Sequence, residues 1–318
     1  MTLYIILFIL GFVGLAKSSD LLVRSLTILS RVFRIPEYTI AFLFMSMATS
    51  IPELFVGLSS AVNKISELSF GNVMGANLIN ITIILGLVIL LGKGLKVESK
   101  ISKRNFWLIS GLTLLPFLLA LDGVVSRGDG ILLLLLFVFY ISRIRKESEH
   151  FTKTMEEQQP KKFTGKIVFR NISYFVLGVA MLIISAYVIV RCGENIAEAI
   201  SFNTLAFGLI FIALGTSLPE MAFGLRARIL KHDSMVVGNS FGSIAFNSTL
   251  IVGLVSVISP IYVTAYFDLF VTAILLIVAL LFFQFFLFSK SFLSRKEGFA
   301  LVMIYVIFLV IQYFRHFA

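Results

Sequence analysis

Ala48-Thr-Ser-Ile-Pro-Glu-Leu-Phe-Val-Gly-Leu58 and Gly215-Thr-Ser-Leu-Pro-Glu-Met-Ala-Phe-Gly-Leu225 are two copies of one motif, identical at six of eleven positions. A second pair follows. Phe70-Gly-Asn-Val-Met-Gly-Ala-Asn-Leu-Ile-Asn80-Ile-Thr-Ile-Ile-Leu-Gly-Leu87 matches Val237-Gly-Asn-Ser-Phe-Gly-Ser-Ile-Ala-Phe-Asn247-Ser-Thr-Leu-Ile-Val-Gly-Leu254 at eight of eighteen positions. Both pairs are displaced by the same 167 residues, so the chain contains one unit twice.

The surroundings of these motifs are apolar. Hydrophobic residues make up 58% of the 318 and charged residues only 14%, against about 25% charged in ordinary soluble domains. A larger core cannot explain the shortfall, because long soluble chains split into domains rather than growing one core. The apolar residues also come in long runs, such as Thr2–Ala16, Ile131–Ile141 and Leu269–Phe288, and roughly 20 of them suffice for a helix to cross the hydrocarbon layer. The expected fold class is therefore an all-α polytopic membrane protein.

Ten spans are expected, near 3–30, 38–62, 69–92, 105–121, 126–143, 168–192, 203–229, 235–257, 263–288 and 298–315. The N-terminal segment lacks a basic n-region and a small-residue cleavage site, and is read as the first span rather than a signal peptide. The polar stretch Lys146–Lys166 has no apolar period. It divides the chain into a first five-helix repeat (1–145), a linker (146–167) and a second five-helix repeat (168–318). The two copies of the motif fall in spans two and seven. Five spans is an odd separation, so the copies enter the membrane from opposite sides. Inverted repeats with helices broken at the midplane are the pattern of secondary transporters.

Charge fixes the expected orientation. With the N-terminus outside, the inner loops hold 21 Lys and Arg and the outer loops 4, the asymmetry of the positive-inside rule. The expected protein thus lies in the cell membrane, both termini outside and the linker in the cytoplasm. The net charge of +10 faces anionic lipid. No basic stripe interleaved with aromatics points to nucleic acid. Cys192 is alone, and His150, His232 and His316 fall in loops or at the terminus. That leaves no cysteine framework and no sulfur–imidazole site for zinc or copper.

Glu53 and Glu220 lie inside spans, where a carboxylate costs a few kcal/mol or more on insertion scales. Ser50-Ile-Pro-Glu53 and Ser217-Leu-Pro-Glu220 each fit a capping box with proline in the first helical turn. Each helix is therefore expected to break at Thr-Ser and restart at proline, freeing carbonyls. At membrane depth such backbone is tolerated only where it is buried in protein or lines a cavity. Thr49, Ser50, Thr216 and Ser217 place hydroxyls beside both breaks. Gly71 and Gly75, like Gly238 and Gly242, form small-residue faces for close helix approach. Asn80 and Asn247 are amides deep in apolar runs and need partners. Every candidate ligand is oxygen, which suits a hard cation; Ca²⁺ takes about six to eight oxygens at about 2.3–2.6 Å.

These motifs resemble the alpha repeats of the sodium/calcium exchanger family, within the cation/calcium antiporter superfamily. That pattern is Gly-Thr-Ser-Leu-Pro-Glu followed by Gly-Asn-x-x-Gly-Ser-Asn. The resemblance implies that Glu53 and Glu220 are central metal ligands. Thr49, Ser50, Thr216, Ser217, Ser243 and the Ala213 carbonyl match the flanking ligand positions, and Asn80 the first-repeat amide. Four positions depart. Ala48 replaces the motif glycine, Ala76 stands opposite Ser243, Ile244 stands opposite Asn77, and Asn247 occupies a place where many of these exchangers carry aspartate.

The function this implies is a secondary active antiporter exchanging Ca²⁺ for Na⁺ by alternating access. The alternative is exchange of Ca²⁺ for H⁺ or another monovalent cation, since two membrane glutamates can carry protons as well. A cation channel is disfavoured by the inverted halves. A membrane enzyme is disfavoured by the lack of a nucleophile–base pair or metal-bound water. The ions are substrates; no cofactor and no obligate protein partner are expected. The orientation is testable: a cysteine introduced at Ser148 should resist impermeant thiol reagents in intact cells and react after permeabilisation. Labelling from outside would contradict it.

Overall fold

The computed structural model describes residues 2–33, 35, 37–64, 66–97, 100–154, 165–199, 216–263, 266–289 and 292–317. Nearly all are helical. In chain order the helices are α1 (Thr2–Phe33), α2 (Glu37–Thr49), α3 (Ile51–Val62), α4 (66–91), α5 (Lys100–Leu119), α6 (Arg127–Thr154), α7 (Gly165–Ala199), α8 (Leu218–Ile229), α9 (Asp233–Ile258), α10 (Tyr266–Ser289) and α11 (Arg295–Phe317). Five helical stretches are long and apolar enough alone to cross a bilayer: Ser69–Leu91, Gly165–Ser185, Asp233–Ile258, Tyr266–Phe286 and Arg295–Phe314. Across a 44° bend, α2 and α3 together make a sixth. With α1, α5, α6 and α8, each of the ten expected spans has its helix. Span seven is represented by α8, its first half lying outside the described residues. Helix α6 runs on to Thr154, into the stretch read from sequence as linker.

The repeat governs the boundaries. Ile51–Val62 and Leu218–Ile229 are displaced by 167 residues. So are Ser66–Ile79 and Asp233–Phe246, the opening segments of α4 and α9. Both of these helices then widen into a π turn, Asn80–Ile84 in one and Asn247–Ile251 in the other, and close as Leu85–Leu91 and Val252–Ile258. The Leu85 N–H reaches back five residues to the Asn80 carbonyl, and Val252 does the same to Asn247. Single π turns of this kind are rare and concentrate at functional sites.

Two short ladders clip the halves together. β1 (Leu95–Lys96) pairs antiparallel with β4 (Phe292–Leu293), and β2 (Val124–Val125) with β3 (Ile261–Tyr262). Each ladder takes one strand from each half. β1 and β3 are near repeat mates, as are β2 and β4, so exchanging the halves converts one ladder into the other. Helices that alternate in direction put the first ladder at the end carrying the Lys/Arg-rich loops and the second at the opposite end.

Small residues set the helix contacts. A Cβ built on Gly14 of α1 would lie 2.3 Å from Ser185 Oγ of α7, and one on Gly178 of α7 would lie 2.8 Å from Leu22 Cγ of α1. Residue numbers rise along one helix as they fall along the other, so α1 and α7 pack antiparallel at close range. On α9, a Cβ at Gly238 would lie 2.3 Å from the Tyr38 carbonyl oxygen, and one at Gly242 2.6 Å from that of Phe42. Span eight is thus pressed onto the backbone of α2. The lower contacts are repeat-symmetric: Gly57 of α3 meets Ile251 and Val255, while Gly224 of α8 meets their mates Ile84 and Val88. Phe106, Phe241 and Phe283 join α5, α9 and α10 with ring centroids 5.2–6.1 Å apart. Phe55, Trp107, Leu135, Phe169 and Phe270 are exposed, an apolar surface of the kind a membrane protein turns to lipid.

Asp20 and Arg24, charged residues within the first span, are partnered. Asp20 accepts from Arg24 at 2.9 Å and from Arg226 Nε of α8 at 2.9 Å. His232, expected as a plain loop residue, meets Glu37 Oε2 at 2.9 Å through Nδ1 and Thr27 Oγ1 at 3.3 Å through Nε2. Arg228 donates to the Gly94 and Gly92 carbonyls at 2.7 and 2.8 Å and to Asp233 at 2.9 Å. It thereby caps the end of α4 from the other half, as basic groups do at helix C-termini.

The Gly242 contact yields a test. Alanine there meets a backbone carbonyl that cannot turn away, so Gly242→Ala should overpack the α2–α9 contact by about 1–3 kcal/mol and lower the thermal unfolding midpoint of the detergent-solubilised protein. Gly111→Ala, whose Cβ would meet nothing within 4 Å among the described residues, should not. Equal midpoints for the two variants would contradict the contact.

Candidate functional site

The site forms at the bend of the second span and at its repeat mate, the start of α8. Ser50 breaks the second span with φ −84° and ψ 8°, and Ser217 stands at the start of α8 with φ −89° and ψ 1°. Both lie in the sparsely populated bridge region. Around the first bend, Ser50 N–H still bonds the Ser46 carbonyl and Leu54 N–H the Ser50 carbonyl, each at 3.0 Å. Pro52 has no N–H to offer the Ala48 carbonyl, so the chain stays helical on either side of a carbonyl that has lost its normal donor.

The capping box read from sequence does not form as such. Ser217 makes no side-chain cap bond, and both the Ser50 and Ser217 hydroxyls are buried without a partner. Both glutamates sit in the first turn of their helices, α3 and α8. Glu53 and Glu220 are each 1% exposed and close enough to interact electrostatically. Each is met by hydroxyls of the opposite half. The Thr216 hydroxyl donates to Glu53, and Thr49 and Ser50 stand beside Glu220. That second approach closes no hydrogen bond on Glu220, since both of its oxygens lack partners.

The amides complete the pattern. Asn80 and Asn247 open the two π turns, and both are buried. Asn80 gives its NH₂ to the Ala76 carbonyl at 3.1 Å. Asn247 gives its NH₂ to Asn77 Oδ1 at 3.3 Å. In both residues the amide oxygen is left without a partner. Thr49 donates to the Met45 carbonyl at 3.1 Å and lies 3.4 Å from both Asn239 Oδ1 and Ser243 Oγ. A hydroxyl whose proton is thus engaged keeps its lone pairs for a cation.

Among the unpartnered buried atoms, seven oxygens fall on three repeat-related pairs of residues: Ser50 Oγ, Ser217 Oγ, Glu53 Oε2, both Glu220 carboxylate oxygens, Asn80 Oδ1 and Asn247 Oδ1. Buried polar atoms nearly always have partners, so seven on repeat-related positions is a set awaiting a ligand that accepts only oxygen lone pairs. Of the residues expected from sequence, Thr49, Ser50, Thr216, Ser217, Glu53, Glu220 and Ser243 meet where the two halves face each other. The π turns carrying Asn80 and Asn247 pack against α8 and α3 respectively. Ala213 lies outside the described residues. Sequence reasoning did not find Asn77, Asn239 and Ser248 as partners of the site. The sequence signals for them were the repeated Gly-Asn pair, which contains Asn239, and the mismatch of Asn77 with Ile244 between the repeats.

The model of the family described as sodium/calcium exchanger protein matches residues 3–144 and 170–314. The chain is 31% identical over 262 residues to the inner membrane protein YrbG of Escherichia coli, covering 80% of this chain and 79% of that one. It is 26% identical over 350 residues to the sodium/calcium exchanger MaX1 of Methanosarcina acetivorans, covering 98% and 99%. A solved structure of the sodium-calcium exchanger NCX_Mj superposes with a TM-score of 0.84 at 23% identity, over 97% of this chain and 98% of that one; this likeness is one of fold. The chain belongs to the sodium/calcium exchanger protein family and is a membrane antiporter of cations against Ca²⁺.

Proposed function

We propose that the chain exchanges Ca²⁺ for Na⁺ by alternating access, with one Ca²⁺ held between Glu53 and Glu220. The observation that carries this reading is the set of seven orphaned oxygens. Their number falls within the six to eight that Ca²⁺ takes, and none is nitrogen or sulfur. The Thr49, Thr216 and Ser243 hydroxyls and the Ala213 carbonyl are further candidates, of which the ion would take only as many as complete six to eight ligands. The two glutamates give the ligand set a formal charge of −2. One Ca²⁺ neutralises it, and so do two Na⁺ or two H⁺. Either cargo removes the repulsion between the carboxylates, and neither can leave without the other entering except at the cost of two bare buried charges. Obligatory exchange follows from that charge balance. The ions are the substrates, and no resident cofactor is needed. In this reading the Lys/Arg-rich end faces the cytoplasm and the termini lie outside.

The test is initial ⁴⁵Ca²⁺ uptake into proteoliposomes. Vesicles loaded with Na⁺ and diluted into Na⁺-free medium should accumulate Ca²⁺, and an imposed pH gradient should not substitute. Uptake driven by the pH gradient alone would assign H⁺ as the coupling ion, and uptake with no gradient at all would contradict antiport. Glu53→Gln and Glu220→Gln each remove one of the two matched charges and should lower uptake about a hundredfold, with the protein still inserted. Near-normal uptake in either variant would sink the site assignment.

A further inference from the structure

The two repeat-related amides are aimed by different means. Asn80 is oriented within its own helix. Its NH₂ bonds the carbonyl of Ala76, one turn back, and a carbonyl can only accept, so the Asn80 oxygen must point the other way. Asn247 has no such local anchor. Its NH₂ makes no bond to the carbonyl one turn back, that of Ser243, which receives the backbone N–H of Asn247. The Asn247 NH₂ instead crosses to the other half and bonds Asn77 Oδ1 at 3.3 Å. Asn77 in turn donates its own NH₂ to Ser248 Oγ at 2.7 Å. All three residues are fully buried, so no water competes for these groups. The second half cannot return the favour, because the repeat mate of Asn77 is Ile244.

An asparagine at an ion site carries a hazard that aspartate does not. Turned by 180° about its last torsion, it presents two N–H donors where an oxygen is required, with almost no change in shape. We propose that Asn77 is the positioning residue for Asn247: by accepting from its NH₂, it holds the amide oxygen, and not the nitrogen, toward the ion. Ser248 supports this sense of the relay: while it accepts from Asn77 Nδ2, only Asn77 Oδ1 faces Asn247. The ligand on the second half is thereby aimed by the first half. This rests on the reading of the orphaned oxygens as a cation site.

The proposal makes a prediction that a packing role for Asn77 does not. A carboxylate has two equivalent oxygens and needs no aiming. Asn77→Leu, close in volume, should therefore raise the Ca²⁺ KM about tenfold in the parent, the scale of one buried hydrogen bond. In an Asn247→Asp background it should change KM by less than about twofold on the same scale. Ser248→Ala should show the same selective pattern more weakly, and serves as the second variant should Asn77→Leu not fold. The measurement is ⁴⁵Ca²⁺ uptake in proteoliposomes alongside equilibrium Ca²⁺ binding to purified protein, each variant checked for monodispersity and thermal midpoint. An equal penalty in both backgrounds would mean that Asn77 only packs, and no penalty in either would mean that Asn247 needs no orienting; both overturn the proposal. A parent protein that neither binds nor transports Ca²⁺ would take down the site reading itself, and this inference with it.

Discussion

Two carboxylates buried face to face inside a membrane protein are the constraint on which the rest of the structure depends. Neither Glu53 nor Glu220 has a basic side chain among its described partners. Such a pair is costly on two counts, loss of water and mutual repulsion, and the surroundings relieve both only in part. Hydroxyls approach from the opposite half, yet three of the carboxylate oxygens remain unpartnered. The neighbouring amides donate away from the site and leave their oxygens toward it. Surroundings meant to keep the carboxylates neutral and packed would supply donors. These supply acceptors, and a cation is the partner that satisfies acceptors.

The repeat is what allows a single chain to build this. A glutamate on one bent helix can be served by hydroxyls on the other only if the two helices meet head to head, and the inverted duplication brings them there. The same 167-residue displacement recurs in helix boundaries, in the π turns and in the glycine contacts, while the ladders keep it to within a residue. Symmetry is then broken at a few side chains. Ala76 against Ser243, and Asn77 against Ile244, give the halves different hydrogen-bonding tools. Divergence at these positions is expected where both halves must keep one fold but contribute differently to one ion.

Much of this was legible in the sequence. Glu53 and Glu220 stood out because ionisable residues in apolar runs are rare, and the repeat doubled the signal. The proline after Thr49-Ser50 located the bend of the second span to within a residue, and its mate Pro219 marked the start of α8. Gly238 and Gly242 announced a close helix contact, and the structure sets them against the backbone of α2. Other features were hidden for physical reasons. The π turns leave no mark in composition, because they change which carbonyl an N–H reaches and not which residues are apolar. The capping box looked sound because its spacing was right, but spacing does not decide whether the serine hydroxyl closes the bond, and neither Ser50 nor Ser217 does so. The pairing of Asp20 with Arg226, and of His232 with Glu37, joins residues some two hundred positions apart. In one sequence each reads simply as a charge near a loop.

The most direct measurement is the location of the ion. Crystals of the protein grown with Ca²⁺ replaced by a heavier divalent cation would give an anomalous difference map. The account predicts one dominant peak between the Glu53 and Glu220 carboxylates, within coordination distance of the Asn80 and Asn247 amide oxygens. A map with no peak there, from protein that transports the same ion, would contradict it.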